Sequence, residues 1–309
     1  MPTQKLSIYD LQVNVSIRGD GSPLLLLNGL GGLIRAFDPL RNELSDYTTI
    51  TLDVPGIGKS QAPRWPMRLP RHADTIAQML TQLGFDQVDV FGVSWGGALA
   101  QEFALRYPGM VRRLILAATS AGPAMLVKPA DVLDFLNIRK GHKPLESKGP
   151  RRSAKALMSF GVANGMLSVN PRAYYLRLAA LVGWTSLLRL YRLRQRTLIL
   201  AGDRDPLVRL YNAHILRRAV RGAELHVLQG EGHFFVVTRA AQTADAIREF
   251  LQQPHGEEKP AIGPPTFRAS TEEIGVHASM WGALRTGIWA NPVCQCPCVG
   301  LQSSFIGLT

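Results

Sequence analysis

Val88-Asp89-Val90-Phe91-Gly92-Val93-Ser94-Trp95-Gly96-Gly97-Ala98-Leu99-Ala100-Gln101 is the stretch from which the fold can be read. Val88–Phe91 reads as a strand, and Ala98–Arg106 as a helix stopped by Tyr107-Pro108-Gly109. Between them lies Gly92-Val93-Ser94-Trp95-Gly96, a Gly-x-Ser-x-Gly pattern in the strand–turn–helix setting that such a nucleophile turn requires. The serine sits in a strained turn, and neighbours without side chains let strand and helix approach closely. The competing reading is a plain turn of small residues, and the rest of the chain has to decide between them.

Outward from this stretch, strands and helices alternate. Leu6–Tyr9 and Gln12–Ile17 form a hairpin pattern around Asp10. The run Leu24–Leu27 suits a strand buried on both faces, and Thr48–Leu52 follows as the next strand. His72–Leu83 carries Ile76, Met79, Leu80 and Leu83 at helical spacing and ends at Gly84. Val111–Ala118, Arg196–Ala201 and Leu225–Leu228 complete the strands, and Arg239–Gln252 is a closing helix. Such alternation predicts an α/β fold with a mostly parallel central sheet flanked by helices. The core is expected from residues 1–119 and 197–253, interrupted at 120–196 by an inserted helical lid. From residue 254 to 309 the periodicity dissolves, and a disordered extension is expected.

A serine hydroxyl needs a base to act at neutral pH. Of seven histidines, His226 falls in a strand, His214 in a helix, and His72 at a helix start, while His142, His255 and His277 lie in lid or tail. His233, in Gly230-Glu231-Gly232-His233 after the last strand, belongs on a loop at the carboxyl edge of the sheet, where open α/β sheets bind ligands. The orienting acid is sought after Arg196–Ala201, in Gly202-Asp203-Arg204-Asp205-Pro206. In this fold the acid commonly stands three residues beyond such a glycine, which favours Asp205; Asp203 is the competitor, better suited to cap the turn. Ser94…Asp205…His233 is the chain order of α/β-hydrolases, so an α/β-hydrolase fold is expected.

An oxyanion needs fixed N–H donors. The amide of Trp95 and that of Leu30, in Asn28-Gly29-Leu30-Gly31-Gly32 after the first buried strand, are the candidates. Asp53-Val54-Pro55-Gly56-Ile57-Gly58-Lys59-Ser60 ends like a phosphate loop but has Asp where that motif needs its first glycine, so it reads as a structural loop.

Taken together, Gly92–Gln101, Leu116–Gly122, Leu27-Asn28-Gly29, Asp53–Gly56, Gly183-Trp184-Thr185-Ser186, Leu200–Asp203 with Asp205-Pro206-Leu207, and Gly232-His233-Phe234 resemble the intracellular poly(3-hydroxyalkanoate) depolymerases of pseudomonad type. Asn28, where many α/β-hydrolases have His, is part of the likeness, which runs from about residue 8 to residue 252. The resemblance implies a serine esterase that degrades stored medium-chain polyester to 3-hydroxy acids or oligomers through an acyl-enzyme, without metal or cofactor. It also implies a cytoplasmic location at storage granules, with the hydrophobic polyester surface and granule-coat proteins as partners. Asn28 and Trp184 become candidates for the substrate pocket. The basic lid and the tail after Pro254 depart from the family pattern.

The formal net charge of +12 is concentrated rather than spread. Residues 120–196 hold fourteen Lys and Arg against Asp131, Asp134 and Glu146. Solvated faces of lid helices account for this as well as a granule coat does, and no nucleic-acid partner is expected. Leu176, Leu178, Leu181, Trp184, Leu187 and Leu188 serve either as a pocket for alkyl chains or as the lid's own core. No apolar run approaches the ~20 residues of a membrane span, no secretory signal is expected, and cysteine is confined to Cys294, Cys296 and Cys298, without the paired spacing of a zinc site. The same triad would also serve a soluble esterase or lipase on small esters, or a cofactor-free haloperoxidase or perhydrolase.

Overall fold

The leucines Leu24–Leu27 of strand β3 (Ser22–Leu27) are fully buried in the computed structural model, which describes residues 3–122 and 171–254, with the backbone alone for 171–174. They alternate in their company. Leu25 and Leu27 pack into one apolar cluster and Leu24 and Leu26 into another, on opposite faces of the sheet. A strand covered on both sides needs apolar residues at every position, which is why its pattern is continuous.

Around β3 stand β1 (Gln4–Ile8), β2 (Leu11–Arg18), β4 (Tyr47–Asp53), β5 (Val88–Val93), β6 (Val111–Ala117), β7 (Arg196–Gly202) and β8 (Glu224–Leu228). The eight strands follow the order β1-β2-β4-β3-β5-β6-β7-β8. The β1–β2 and β2–β4 pairs are antiparallel, and all others are parallel. The α/β-hydrolase architecture with its mostly parallel sheet is therefore present as expected.

One face is covered by α2 (Leu69–Gln82) and α3 (Trp95–Arg106), which contribute Ile76, Leu80, Leu99 and Phe103 to the cluster of Leu25 and Leu27. The other is covered by α1 (Asp38–Glu43) and by a terminal helix (Ala240–Gln252), which bring Leu40, Ile247 and Phe250 to Leu24 and Leu26. Helix α2 ends in a Schellman motif: Phe85 N–H donates to Leu80 C=O and Gly84 N–H to Thr81 C=O, with Gly84 at φ +76°.

Two boundaries depart from the sequence pattern. Helix α3 starts at Trp95 rather than Ala98, because the N–H groups of Gly97 and Ala98 already bond the Ser94 carbonyl. The glycine pair conceals that first turn from propensity. Helix α2 begins at Leu69, with Pro70 in its first turn, where a missing N–H costs nothing. The short α1 is not anticipated by periodicity at all.

Of the expected lid, residues 123–170 lie outside the described residues, as does the tail beyond residue 254 with its three cysteines. The described remainder comprises α4 (Pro171–Ala179) and a 3-10 segment, Leu187–Arg192. It packs directly on the hydrolase core. Leu181 and Trp184 join the cluster that holds Trp95 and Ala98. Leu188, by contrast, is 80% exposed. Among the described residues no helix is long and apolar enough to cross a membrane.

Candidate active site

Ser94 adopts φ 55°, ψ −117° between β5 and α3. A non-glycine residue at positive φ is costly unless its surroundings over-determine it. Here they do. Ser94 N–H donates to Ala117 C=O at 2.9 Å, and the Ser94 carbonyl accepts from Gly97 N–H at 2.9 Å and from Thr119 Oγ1 at 2.8 Å. The flanking glycines are required by space. A Cβ on Gly92 would lie 2.7 Å from that of Ala100, and one on Gly96 would collide with Leu27 C=O and stand 2.6 Å from Asn28 C=O.

Ser94, Asp205 and His233 each follow a parallel strand, so the sheet delivers all three to one edge. His233 Nε2 lies 3.0 Å from Ser94 Oγ, and His233 Nδ1 lies 2.7 Å from Asp205 Oδ2. A carboxylate only accepts, so Nδ1 carries the proton and Nε2 presents its lone pair to the Ser94 hydroxyl. Asp205 Oδ1 accepts from the amides of Leu207 at 2.8 Å and Val208 at 2.9 Å, which fixes the carboxylate before it meets the imidazole. Both partners of the His233–Asp205 pair are buried. Asp203 turns elsewhere: its Oδ1 accepts from Gly230 N–H at 2.6 Å and ties the loop after β7 to the turn after β8.

Gly29 faces Ser94 directly, since a Cβ there would sit 3.5 Å from Ser94 Cβ and 4.0 Å from Ser94 Oγ. Leu30 follows it in the loop after β3. Among the described residues neither the Leu30 nor the Trp95 amide has an acceptor, and Trp95 opens α3, where the helix dipole favours negative charge. Asn28 is buried, and its Nδ2 donates to Leu33 C=O at 2.8 Å, bracing this loop across its neck. Trp184 is also buried, and one edge lines a cleft of about 250 Å³ together with Arg68, Pro70, Ala180, Val182 and Gly183. The Asp53–Ser60 loop is a structural one: Asp53 accepts from Asn14 Nδ2, Ile34 N–H and Lys59 N–H at 2.8–3.0 Å.

Sequence reasoning missed the environment of Trp95. The guanidinium carbon of Arg177, from α4, lies 4.0 Å above the indole centroid, and Trp95 Nε1 donates to Arg177 C=O at 3.0 Å. His72 approaches the same ring edge-on, with centroids 5.3 Å apart. Burial, and secondarily the charge of Arg177, push the His72 imidazole down to about 3, so it is neutral near pH 7. Burial likewise pushes Arg177 down to about 9, opposed by Asp53. A lid arginine reads as solvated in a sequence, and only its contact with the ring reveals the difference. Arg189, another lid cation, is ion-paired with the buried Glu102 of α3 at 2.7 Å.

A serine hydroxyl within reach of a buried His–Asp pair, beside two amides that have no acceptor among the described residues, is an arrangement able to transfer an acyl group to serine and then to water. Among the described residues no cluster of three His, Cys, Asp or Glu side chains suits a metal.

Comparison with known proteins bears on the family and the fold. Residues 22–240 match the family model described as alpha/beta hydrolase fold. The chain is 40% identical over 243 residues to a poly(3-hydroxyalkanoate) depolymerase of Ectopseudomonas oleovorans, covering 75% of this chain and 85% of that one. It is 26% identical over 260 residues to a 2-hydroxy-6-oxo-2,4-heptadienoate hydrolase of Pseudomonas putida, covering 78% and 93% respectively. A crystal structure of a hydrolase from Pseudomonas aeruginosa superposes with a TM-score of 0.68 at 22% identity, covering 81% of this chain and 98% of that one, a likeness of fold.

Proposed function

The chain belongs to the alpha/beta hydrolase fold family, and on that premise we propose that it is a serine esterase that degrades poly(3-hydroxyalkanoate). The observation that carries the proposal is the continuous line from Asp205 through His233 to Ser94 Oγ in a chain 40% identical to a depolymerase of that polyester.

Ser94 Oγ attacks the ester carbonyl while His233 Nε2 takes its proton. The amides of Trp95 and Leu30 receive the developing oxyanion, an interaction whose loss typically costs about 10²–10³ in rate. Collapse breaks the bond to the alkoxy oxygen of the next hydroxyacyl unit, which leaves with the proton from His233. Water, deprotonated by His233, then attacks the acyl-Ser94 ester; collapse breaks the bond from the acyl carbon to Ser94 Oγ, which takes the proton back from His233, and the carboxylic acid is released. Asp205 holds the imidazole and stabilises its charged form throughout.

We further propose that the enzyme works at the surface of polyester granules in the cytoplasm. Exposed apolar side chains support contact with such a surface: Trp65, Val182 and Leu188 are 73%, 66% and 80% exposed. The test offers purified protein amorphous medium-chain polyester beside p-nitrophenyl octanoate. Polymer clearing by the intact protein, lost in Ser94→Ala, is the expected result. Turnover of the small ester alone would leave an esterase and remove the polyester assignment.

A further inference from the structure

Arg177 is 2% exposed, yet none of its three guanidinium nitrogens has a hydrogen-bond partner among the described residues. A buried guanidinium left this way is expensive, because desolvation is repaid only by an ion pair and by hydrogen bonds to its N–H groups. Among the described residues the anion whose charge acts on it is Asp53, whose two carboxylate oxygens are already taken by Asn14 Nδ2 and the amides of Ile34 and Lys59. What Asp53 supplies is a field, without a hydrogen bond to Arg177. The planar fork of Arg matches one ligand class especially well, a carboxylate held by two parallel N–H···O bonds.

The position of this fork gives it meaning. It lies on the indole of Trp95, the residue directly after the nucleophile, whose amide is an oxyanion donor in the mechanism above. On the ring's edge stands His72, buried and with Nδ1 also unpartnered. The guanidinium and the imidazole thus meet one ring, that of the residue next to Ser94, and among the described residues the three guanidinium nitrogens and His72 Nδ1 have no partner.

We propose that Arg177 binds the free carboxylate of a hydroxyacyl chain end, so that hydrolysis proceeds from the carboxyl terminus and releases one hydroxy acid at a time. This rests on the polyester reading. In a 3-hydroxyacyl chain the terminal carboxylate is separated from the last ester only by the carbon skeleton of one unit. When that carboxylate pairs with Arg177, the last ester is the bond nearest Ser94. The bond broken is the one between the acyl carbon and the alkoxy oxygen of the terminal unit, which departs as the free 3-hydroxy acid. The shortened chain, once hydrolysed from Ser94, ends in a new carboxylate of the same kind.

The decisive measurement compares the linear trimer of 3-hydroxyoctanoate as free acid with its methyl ester. The intact protein is expected to favour the acid in kcat/KM by about 10–100-fold, the range of a charged hydrogen-bonded contact. In Arg177→Met that ratio collapses toward one, and Arg177→Lys, which keeps the charge and loses the fork, recovers part of it. A merely structural strut between lid and Trp95 would lower both substrates together and leave the ratio standing, which would overturn the proposal. So would equal turnover of acid and ester by the intact protein, a result that needs no variant to fold. Inhibition of p-nitrophenyl octanoate hydrolysis by 3-hydroxyoctanoate separates the two levels. Inhibition that weakens in Arg177→Met, with no polymer or oligomer turnover, supports the carboxylate site while the polyester reading fails. Polymer clearing with neither acid preference nor acid inhibition does the reverse.

Discussion

The indole N–H of Trp184 donates to Glu102 Oε2 at 2.9 Å, tying the segment after α4 to the helix that begins directly after Ser94. Arg189 reaches the same oxygen at 2.7 Å, and Ser186 Oγ donates to Gln101 Oε1 at 2.6 Å. The Gly183–Ser186 block is thus an anchor on α3. Glu102 is 2% exposed and serves as acceptor for both an indole and a guanidinium.

Glu102→Gln is therefore expected to lower the free energy of unfolding by about 1–3 kcal/mol, since one charge-assisted bond disappears inside the protein. Trp184→Phe, which removes one neutral donor and keeps most of the packing, costs less. Urea denaturation of the two variants checks the order. Equal, negligible changes would mean that the anchor carries no stability.

The two aspartates after β7 have separate partners and should separate in kinetics. Asp205→Asn is expected to lower kcat/KM by about 10³–10⁴, through loss of the correct histidine tautomer. Asp203→Asn keeps an oxygen for Gly230 N–H and changes activity by no more than a few fold. Steady-state rates on p-nitrophenyl octanoate decide it, and comparable losses would reverse the assignment.

Space around Gly96 is fully used, whereas a Cβ on Gly109 would meet nothing within 4 Å. Gly96→Ala is expected to destabilise by at least about 3 kcal/mol or to prevent folding, because the obstructing atoms are backbone carbonyls that cannot rotate away. Gly109→Ala should fall within about 0.5 kcal/mol of the parent. Thermal unfolding of soluble protein compares them directly.

His72 makes stability depend on pH. Its imidazole is held down to about 3 in the folded protein, against an ordinary 6.5 when the chain unfolds. Between those values the unfolded chain binds a proton that the folded protein refuses. The contribution is therefore complete above pH 6.5 and lost as pH falls toward 3, to a limit of ~5 kcal/mol. His72→Phe, which retains an edge-on ring for Trp95, should flatten that part of the profile. Urea midpoints measured from pH 7 to pH 4 provide the test, and an unchanged slope would place the imidazole in contact with water.

Much of the fold was legible because burial and pattern coincide. Leu24–Leu27 is apolar at every position since both faces of β3 are covered, and the hairpin Leu6–Tyr9/Gln12–Ile17 corresponds to β1 and β2 within a residue or two. The first turn of α3 was hidden by Gly96 and Gly97, whose presence answers to the closeness of Leu27 and Thr119 rather than to helix propensity. Around the candidate site, Ser94 and His233 stand out through their position after strands. Asp203 and Asp205 do not separate so well, because both occupy one short loop and only side-chain direction tells which meets the imidazole.

From its order of residues alone this chain determined an alternating strand–helix core, a strand–turn–helix at Ser94 and a histidine loop at the carboxyl edge of the sheet. Those features are local: each depends on backbone sterics and on residues adjacent in the chain. The tertiary structure decided that Asp205 rather than Asp203 meets His233, that Trp184 anchors on Glu102, and that Arg177 lies on Trp95. Contacts between residues eighty or more apart, such as Trp95 with Arg177 (82 positions), depend on how helices pack over the sheet. No local propensity encodes whether a given cation ends in water or against the ring of Trp95.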